Sequence, residues 1–401
     1  MKILHTSDWH LGKRLDFFSR IEEQREVMEE ICRIAEEQSV DMVVVAGDLF
    51  DTFNPPIEAT ELLYKTLKKL TRNGKVPVIA IAGNHDSPDR VNVADVLARE
   101  NGIVFIGRPT DTVPVFEVEN GFAITRTDVG FIEISLPQLE YPARVLHTAF
   151  ANEVRLKEYF GEEKQQSLQE SLMDKWEDLA RRYCDMDGVN ILTTHLYLSK
   201  RGGELPEEPE GEKPLNIGTA DLVYSDSIPP QMQYVALGHL HRYQDVGVYQ
   251  PAVYSGSPLQ YSFSESGQQK FITIVDVNPG EEPKIENLPL NSGRKLMRKA
   301  FQNVQDAVEW LNENKNCLVE LTLELDEFLK AEERKQLYQA HDGIIHLIPK
   351  VKNGDKQASS THEINLSQDM DELFTGYFKS KNDGLEPNSE IMGMFNEIFG
   401  L

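Results

Sequence analysis

The chain has 401 residues, 40% of them hydrophobic, with 41 lysines and arginines against 66 acids and a net charge of −25. That length exceeds what one core commonly serves, so two domains are expected, and the acidic balance excludes a protein that holds nucleic acid by bulk positive charge of its own. No apolar run approaches a membrane span and residues 1–6 turn polar too early for a signal peptide, so the expectation is a cytoplasmic protein with no membrane partner.

Short apolar runs at residues 3–4, 42–46, 78–82, 191–192 and 235–237 read as buried strands. Between the first pair, residues 17–38 place Phe17, Ile21, Met28, Ile31, Cys32 and Ala35 at helical spacing; residues 58–70 read as a second helix, and Pro88 opens a short third one toward Ala98. The alternation predicts an α/β fold. Residues 153–183 are charged and helix-prone, whereas 201–214 are rich in Gly, Pro and Glu and read as a surface loop.

After a strand at 271–275, Asn278-Pro279-Gly280 marks a turn and Ser292-Gly293 a domain boundary. Residues 296–301, 304–314, 318–325, 327–340 and 344–351 then read as strand, helix, strand, helix, strand. A polar linker at 353–361 leads to Met370, Leu373, Phe374, Tyr377 and Phe378, and then to Ile391, Met394, Phe395, Ile398 and Phe399. Both sets repeat at i, i+3, i+4, i+7 and i+8, which predicts two amphipathic helices. The expected units are 1–290, 291–352 and 353–401.

Five polar clusters follow the apolar runs: Asp8-Trp9-His10, Gly47-Asp48-Leu49-Phe50-Asp51, Gly83-Asn84-His85-Asp86, Thr194-His195 and Gly238-His239-Leu240-His241. Carboxylate, amide oxygen and imidazole suit ions such as Mn²⁺, and two such ions roughly 3.5–4 Å apart clamp both sides of an in-line attack on phosphorus. In an extended segment residues i and i+2 share a face, so Asp8 with His10, and His239 with His241, are expected to aim together. All five clusters fall at carboxyl ends of strands, where open sheets form sites. The other histidines, His5, His147, His341, His346 and His362, lack such neighbours and read as structural or solvent-facing, His5 being the nearest to a cluster. Cys32, Cys184 and Cys317 lie outside every cluster, which argues against a thiolate nucleophile and for a reducing compartment.

The order Asp-x-His, Gly-Asp-x-x-Asp, Gly-Asn-His-Asp, His and Gly-His-x-His resembles the calcineurin-like metallophosphoesterases. Stretches 3–12 (ILHTSDWHLG), 45–51 (VAGDLFD), 236–242 (ALGHLHR) and 254–258 (YSGSP) are similar to the SbcD-type nuclease subunits of bacterial SbcCD complexes, and the likeness runs through nearly the whole chain. It implies a β-sandwich flanked by helices, with a small α+β capping domain and C-terminal helices. It further implies one cation held by Asp8, His10, Asp48 and His241, and a second by Asp48, Asn84, His195 and His239, so that Asp48 bridges them. Mn²⁺ is the expected metal and Mg²⁺ the alternative. His85 is then left to act on the scissile phosphate or leaving oxygen, oriented by a hydrogen bond that its ring donates to Asp51.

The implied activity is ATP-dependent 3′ to 5′ exonuclease action on duplex DNA, with endonuclease cutting of single strands and hairpins, in DNA recombination, replication and repair. The implied partners are DNA and the ATPase SbcC, which supplies DNA-binding surface and takes the C-terminal helices. A homodimer through the helices after the second and third clusters, within a heterotetramer at the nucleoid, is implied too. The competing readings are a metallophosphoesterase acting on a small phosphodiester and a structural subunit with a vestigial site. The extra C-terminal units disfavour the former, and the complete ligand set the latter.

Overall fold

In the computed structural model the described residues are 1–156, 164–206 and 222–351, together with Phe374, Thr375, Phe378, Lys379, Pro387, Met392 and Phe395. The apolar runs form the centres of two facing sheets. In the first, the order is Lys284–Leu290, Lys270–Asp276, Lys2–Thr6, Met42–Ala46, Val78–Ile81 and Ile103–Ile106, the last four parallel. The second runs Gln244–Asp245, Ala252–Tyr254, Tyr234–Gly238, Val189–His195, Ala143–Thr148, Phe131–Ser135, Ala123–Asp128 and Phe116–Glu117, with the second to fifth parallel.

Parallel strands are buried on both faces, which is why they read as continuous Val/Ile/Leu runs instead of alternating with polar residues. Between the sheets Val43, Val45, Val145, Ile191 and Ala236 share one core. Helices Ile21–Glu37 and Ile57–Leu70 add Val27, Met28, Ile31, Leu63 and Leu67 to it. The far side of the second sheet is covered by helix Lys164–Tyr183, whose Leu168, Leu172, Trp176 and Leu179 pack on Phe131, Leu146, Leu192 and Val235. The Trp176 indole donates to Thr148 Oγ1 at 2.9 Å, so its one polar atom is satisfied within that apolar layer.

The two sheets meet most tightly at the carboxyl ends of Met42–Ala46 and Tyr234–Gly238. An added Cβ on Gly238 would lie 1.7 Å from the Ala46 carbonyl oxygen, so only glycine permits this approach. His5 ties the neighbouring strand Lys2–Thr6 to Tyr234–Gly238. Its Nε2 lies 3.2 Å from the Leu237 carbonyl, which can only accept, and its Nδ1 lies 2.8 Å from the Tyr234 hydroxyl, which therefore donates. Burial drives its pKa down to about 3, consistent with a neutral structural imidazole.

The small C-terminal domain has its own core of Ala307, Leu311, Val319, Leu321, Leu337 and Ile344. Strands Lys295–Phe301, Cys317–Leu325 and Ile344–Val351 are parallel, joined through helices Val304–Glu313 and Ala331–Ala340. It is thus built of βαβ units and its strands and helices are interleaved, where an α+β module segregates them.

Two expectations change. The first helix begins at Ile21, because Arg14–Leu15 and Phe18–Ser19 form a tiny hairpin that leaves Phe17 exposed. The third becomes two short helices, Pro88–Asn92 and Asp95–Glu100. The helix-prone 153–183 segment forms Glu153–Leu156 and Lys164–Tyr183, with 157–163 outside the described residues. Residues 207–214 of the expected loop, the linker, His362 and most of the two terminal amphipathic segments lie outside the described residues. Where those segments are described, Phe374 stacks on Phe395 with centroids 4.1 Å apart, so one predicted helical face meets the other.

Gly238→Ala should force the sheets apart at this contact. We expect a loss of more than about 3 kcal/mol in urea unfolding, against less than about 0.5 kcal/mol for a substitution at exposed Gly267, for example to Asn, which tolerates its positive φ.

Candidate metal centre

Each cluster follows its strand at the rim where the sheets converge. Strand Lys2–Thr6 leads to Asp8 and His10, Met42–Ala46 to Asp48, Val78–Ile81 to Asn84 and His85, and Tyr234–Gly238 to His239 and His241; His195 is itself the last residue of Val189–His195. The pleat is not what aims them. Asp8, His10, Asp48 and His239 have φ of 53°, 42°, 48° and 108°, so the chain leaves each strand through left-handed turns. The expected i, i+2 alternation is therefore replaced by loop geometry, which costs of order 1–3 kcal/mol per strained residue and concentrates at functional sites.

Asp48 is the hub. Its Oδ1 accepts the His85 backbone N–H at 2.9 Å, while Oδ2 lies 3.3 Å from His195 Nε2 and 3.6 Å from His10 Nε2. The His10 and His241 Nε2 atoms face each other at 3.0 Å, and His195 Nε2 lies 2.9 Å from the Asn84 amide oxygen. Asp8, His10 and His241 form one close set, and Asp8, Asp48 and His195 another. A cation with bonds near 2.1 Å spaces its ligands about 3 Å apart, so these donors fit a pair of divalent ions. Glycine again makes room: a Cβ on Gly83 would lie 2.1 Å from Asp48 Oδ1.

The electrostatics agree with that fit. Burial opposes ionisation of Asp48, yet the His195, His10 and His85 rings hold its carboxyl well below the usual range. His195 shows the converse: burial disfavours its cation, but Asp48 pushes its pKa up to about 9. Asp86 organises the loops. It is buried and accepts Leu49 N–H, Phe50 N–H and Gly83 N–H at 3.0, 2.9 and 2.8 Å, locking the Asp48 loop to the Asn84 loop. Arg155 clamps the second loop from outside through the Gly83 and Asp86 carbonyls at 2.9 and 2.8 Å.

Of the expected residues, Asp8, His10, Asp48, Asn84, His195 and His241 converge. The His239 ring stands beside that of His195, with centroids 5.6 Å apart. Its backbone N–H is anchored on Asp8 Oδ1 at 2.9 Å. Asp51 stands with His10 and His85, a carboxylate oxygen and one nitrogen of each ring lying within 4.8 Å of one another. The His85 ring Nδ1 bonds the Asp51 backbone carbonyl at 2.8 Å, whereas the Asp51 carboxylate takes Lys13 at 2.9 Å and lies 3.6 Å from His10 Nδ1.

Glu265 went unnoticed in the sequence. It lies in a polar stretch that reads as loop, yet it is buried with Oε1 3.3 Å from His241 Nδ1. Burial would raise its pKa, but Lys270 and His241 hold it down to about 2. The three thiols stand apart, Cys32 and Cys184 raised to about 12 by burial, so none serves as a nucleophile.

Residues 1–243 match the calcineurin-like phosphoesterase family. The SbcD subunit of the SbcCD nuclease from Bacillus subtilis (strain 168) is 36% identical over 407 residues, covering 99% of this chain and 97% of the relative. The chain belongs to the calcineurin-like phosphoesterases, in their SbcD branch. Among solved structures, a dimetal phosphatase from Danio rerio shares 10% identity at a TM-score of 0.42, covering 73% of this chain and 99% of that one. The protein TT1561 of Thermus thermophilus shares 14% at 0.37, covering 72% and 99%. The buried Asp48 and the imidazoles around it are this chain's candidate seat for divalent ions.

Loading that seat must displace the proton that Asp48 draws onto His195. Cation affinity should therefore climb as pH rises toward about 9, with proton release seen by calorimetry in buffers of different ionisation enthalpy. A flat profile would mean that His195 is already neutral without the cation.

Proposed function

We propose that this chain is the nuclease subunit of an SbcCD complex, hydrolysing DNA phosphodiester bonds at a two-cation centre in recombination, replication and repair. The observation that carries the reading is the convergence of His10, His195 and the Asp48 carboxylate on one buried point, in a chain similar along its length to an SbcD nuclease subunit. Mn²⁺ is the working metal we assign, since the donors mix imidazole with carboxylate and amide oxygen.

Asp8, His10, Asp48 and His241 would hold one cation in this reading, and Asp48, Asn84, His195 and His239 the other. Bound there, the pair would supply Lewis acidity toward a water and positive charge toward the phosphate oxygens. The chain's own groups do the rest. Asp48 is ionised and buried, so both its oxygens are available as acceptors without competing water. The Asp51 carbonyl can only accept, which places the proton of neutral His85 on Nδ1 and leaves Nε2 to face the substrate. Protonated, that Nε2 donates to the phosphate or the leaving oxygen.

The partners follow from charge and exposure. A net charge of −25 repels DNA, which favours supply of positive surface by an SbcC subunit. Phe53, Ile57, Val93, Val96 and Leu97 are exposed, with Ile57 at 85% and Val93 at 79%, and the Arg90 guanidinium donates to Asn54 Oδ1, linking the loop after Asp51 to the short helix Pro88–Asn92. We assign this apolar surface to a homodimer.

His85→Leu should keep the Mn²⁺ stoichiometry of the wild type and lower cleavage of linear duplex DNA by about 100-fold or more, whereas Asp48→Asn should lose both occupancy and turnover. Assay with bis-p-nitrophenyl phosphate alongside DNA, with and without SbcC and ATP, distinguishes a DNA enzyme from one for small esters. For the dimer, Val93→Asp combined with Leu97→Asp should shift sedimentation to the monomer; an unchanged dimer would place the interface elsewhere.

A further inference from the structure

Residues 260–266 touch a candidate cation ligand on one side and the small C-terminal domain on the other. On the inner side, Glu265 Oε1 lies 3.3 Å from His241 Nδ1 and also accepts the Tyr261 and Ser262 N–H groups, each at 3.1 Å. Its partner Lys270 pairs with Oε2 and donates to the His241 carbonyl at 2.7 Å and to Ser257 Oγ at 3.0 Å. His241 is therefore held by both its ring and its main chain. A ring that donates from Nδ1 to a carboxylate presents the lone pair of Nε2, the atom that faces His10.

On the outer side, Phe263 packs with Leu296, Leu318 and Ile345 of the small domain, and the His346 ring lies 5.2 Å from it. Ser266 Oγ donates to the Leu296 carbonyl at 2.9 Å, and Leu296 N–H donates to Gln260 Oε1 at 2.7 Å. His346 also reaches Asp16 at 2.6 Å and Glu320 at 2.9 Å, fastening the domain to the hairpin that follows Lys13. Positions 260, 263 and 266 are thus set by the small domain while 265 sets His241.

We infer that residues 260–266 couple the seating of the small domain to His241, with Glu265 as the positioning residue that tunes one half of the two-cation centre. The inference rests on the two-cation reading given above. A buried Glu–Lys pair gives no packing advantage over apolar side chains of the same size, so its placement against a ligand ring calls for a positional role. The turn Phe263–Glu265 is short and closed at both ends, since Ser262 Oγ accepts the Ser264 N–H, the Glu265 carboxylate accepts the Ser262 N–H and the Ser266 N–H donates to the Phe263 carbonyl, so it moves as a unit. A shift of Phe263 or Ser266 carries the carboxylate with it.

The test is Mn²⁺ titration of the full-length chain, read by calorimetry and by electron paramagnetic resonance for site stoichiometry. Glu265→Gln should weaken one of two Mn²⁺ sites by about 10- to 100-fold and leave the other unchanged. Because Glu265→Gln strands the Lys270 charge, the double variant Glu265→Gln with Lys270→Met should regain thermal stability and keep the weakened site. Leu318→Ala and His346→Ala touch no ligand, and each should weaken the same site by about threefold or more. Folded variants that bind both ions like the wild type overturn the coupling, as does equal weakening of both sites. Wild-type chain that takes up no second Mn²⁺ overturns the two-cation reading itself, and the coupling with it.

Discussion

The contact on which the rest depends is the side-chain-free approach of Ala46 to Gly238, reinforced by the His195 ring on the Ala46 carbonyl at 2.9 Å. It brings the carboxyl ends of two parallel strand sets to one rim. Asp48 follows Ala46 by two residues and His239 follows Gly238 by one, so the distance between sheets fixes the distance between ligands. Parallel strands are needed for this, because an antiparallel neighbour would send every second cluster to the opposite rim.

The rim is arranged to receive positive charge in a strongly acidic molecule. Asp8 and Asp48 are buried and flanked by imidazoles, and Asp86 spends its oxygens on three backbone N–H groups instead of the pocket. Such an arrangement separates two jobs that carboxylates can do. One set lines the candidate metal centre, while the other stiffens the loops that carry it, and Arg155 strengthens the second from the helix Glu153–Leu156.

The two domains are not simply tethered. Glu30 accepts the Asn291 and Ser292 N–H groups, and Glu23 accepts Arg294 N–H, so the connecting segment is bonded to the first long helix. With Leu15, Phe263, Leu296, Leu318 and Ile345 packed together beside it, the small domain sits against the elements that lead into the centre. Motion of that domain and geometry of the ligands therefore share one mechanical frame.

Sequence alone determined the buried strands, the βαβαβ order of the small domain and the candidate ligand types, since hydrophobic period and donor chemistry are local properties of the chain. Met42–Ala46 is readable because five apolar residues in a row suit a strand covered on both faces. Tertiary structure alone decided which atoms meet. The Asp51 main-chain carbonyl accepts from the His85 ring; the His239 ring stands beside that of His195; and Glu265, anonymous in a polar stretch, lies against His241. Left-handed turns after the strands aim Asp8, His10 and Asp48, and such turns on non-glycine residues leave no periodic trace. Contacts between residues more than two hundred positions apart, such as His10 with His241, arise only when the sheets close.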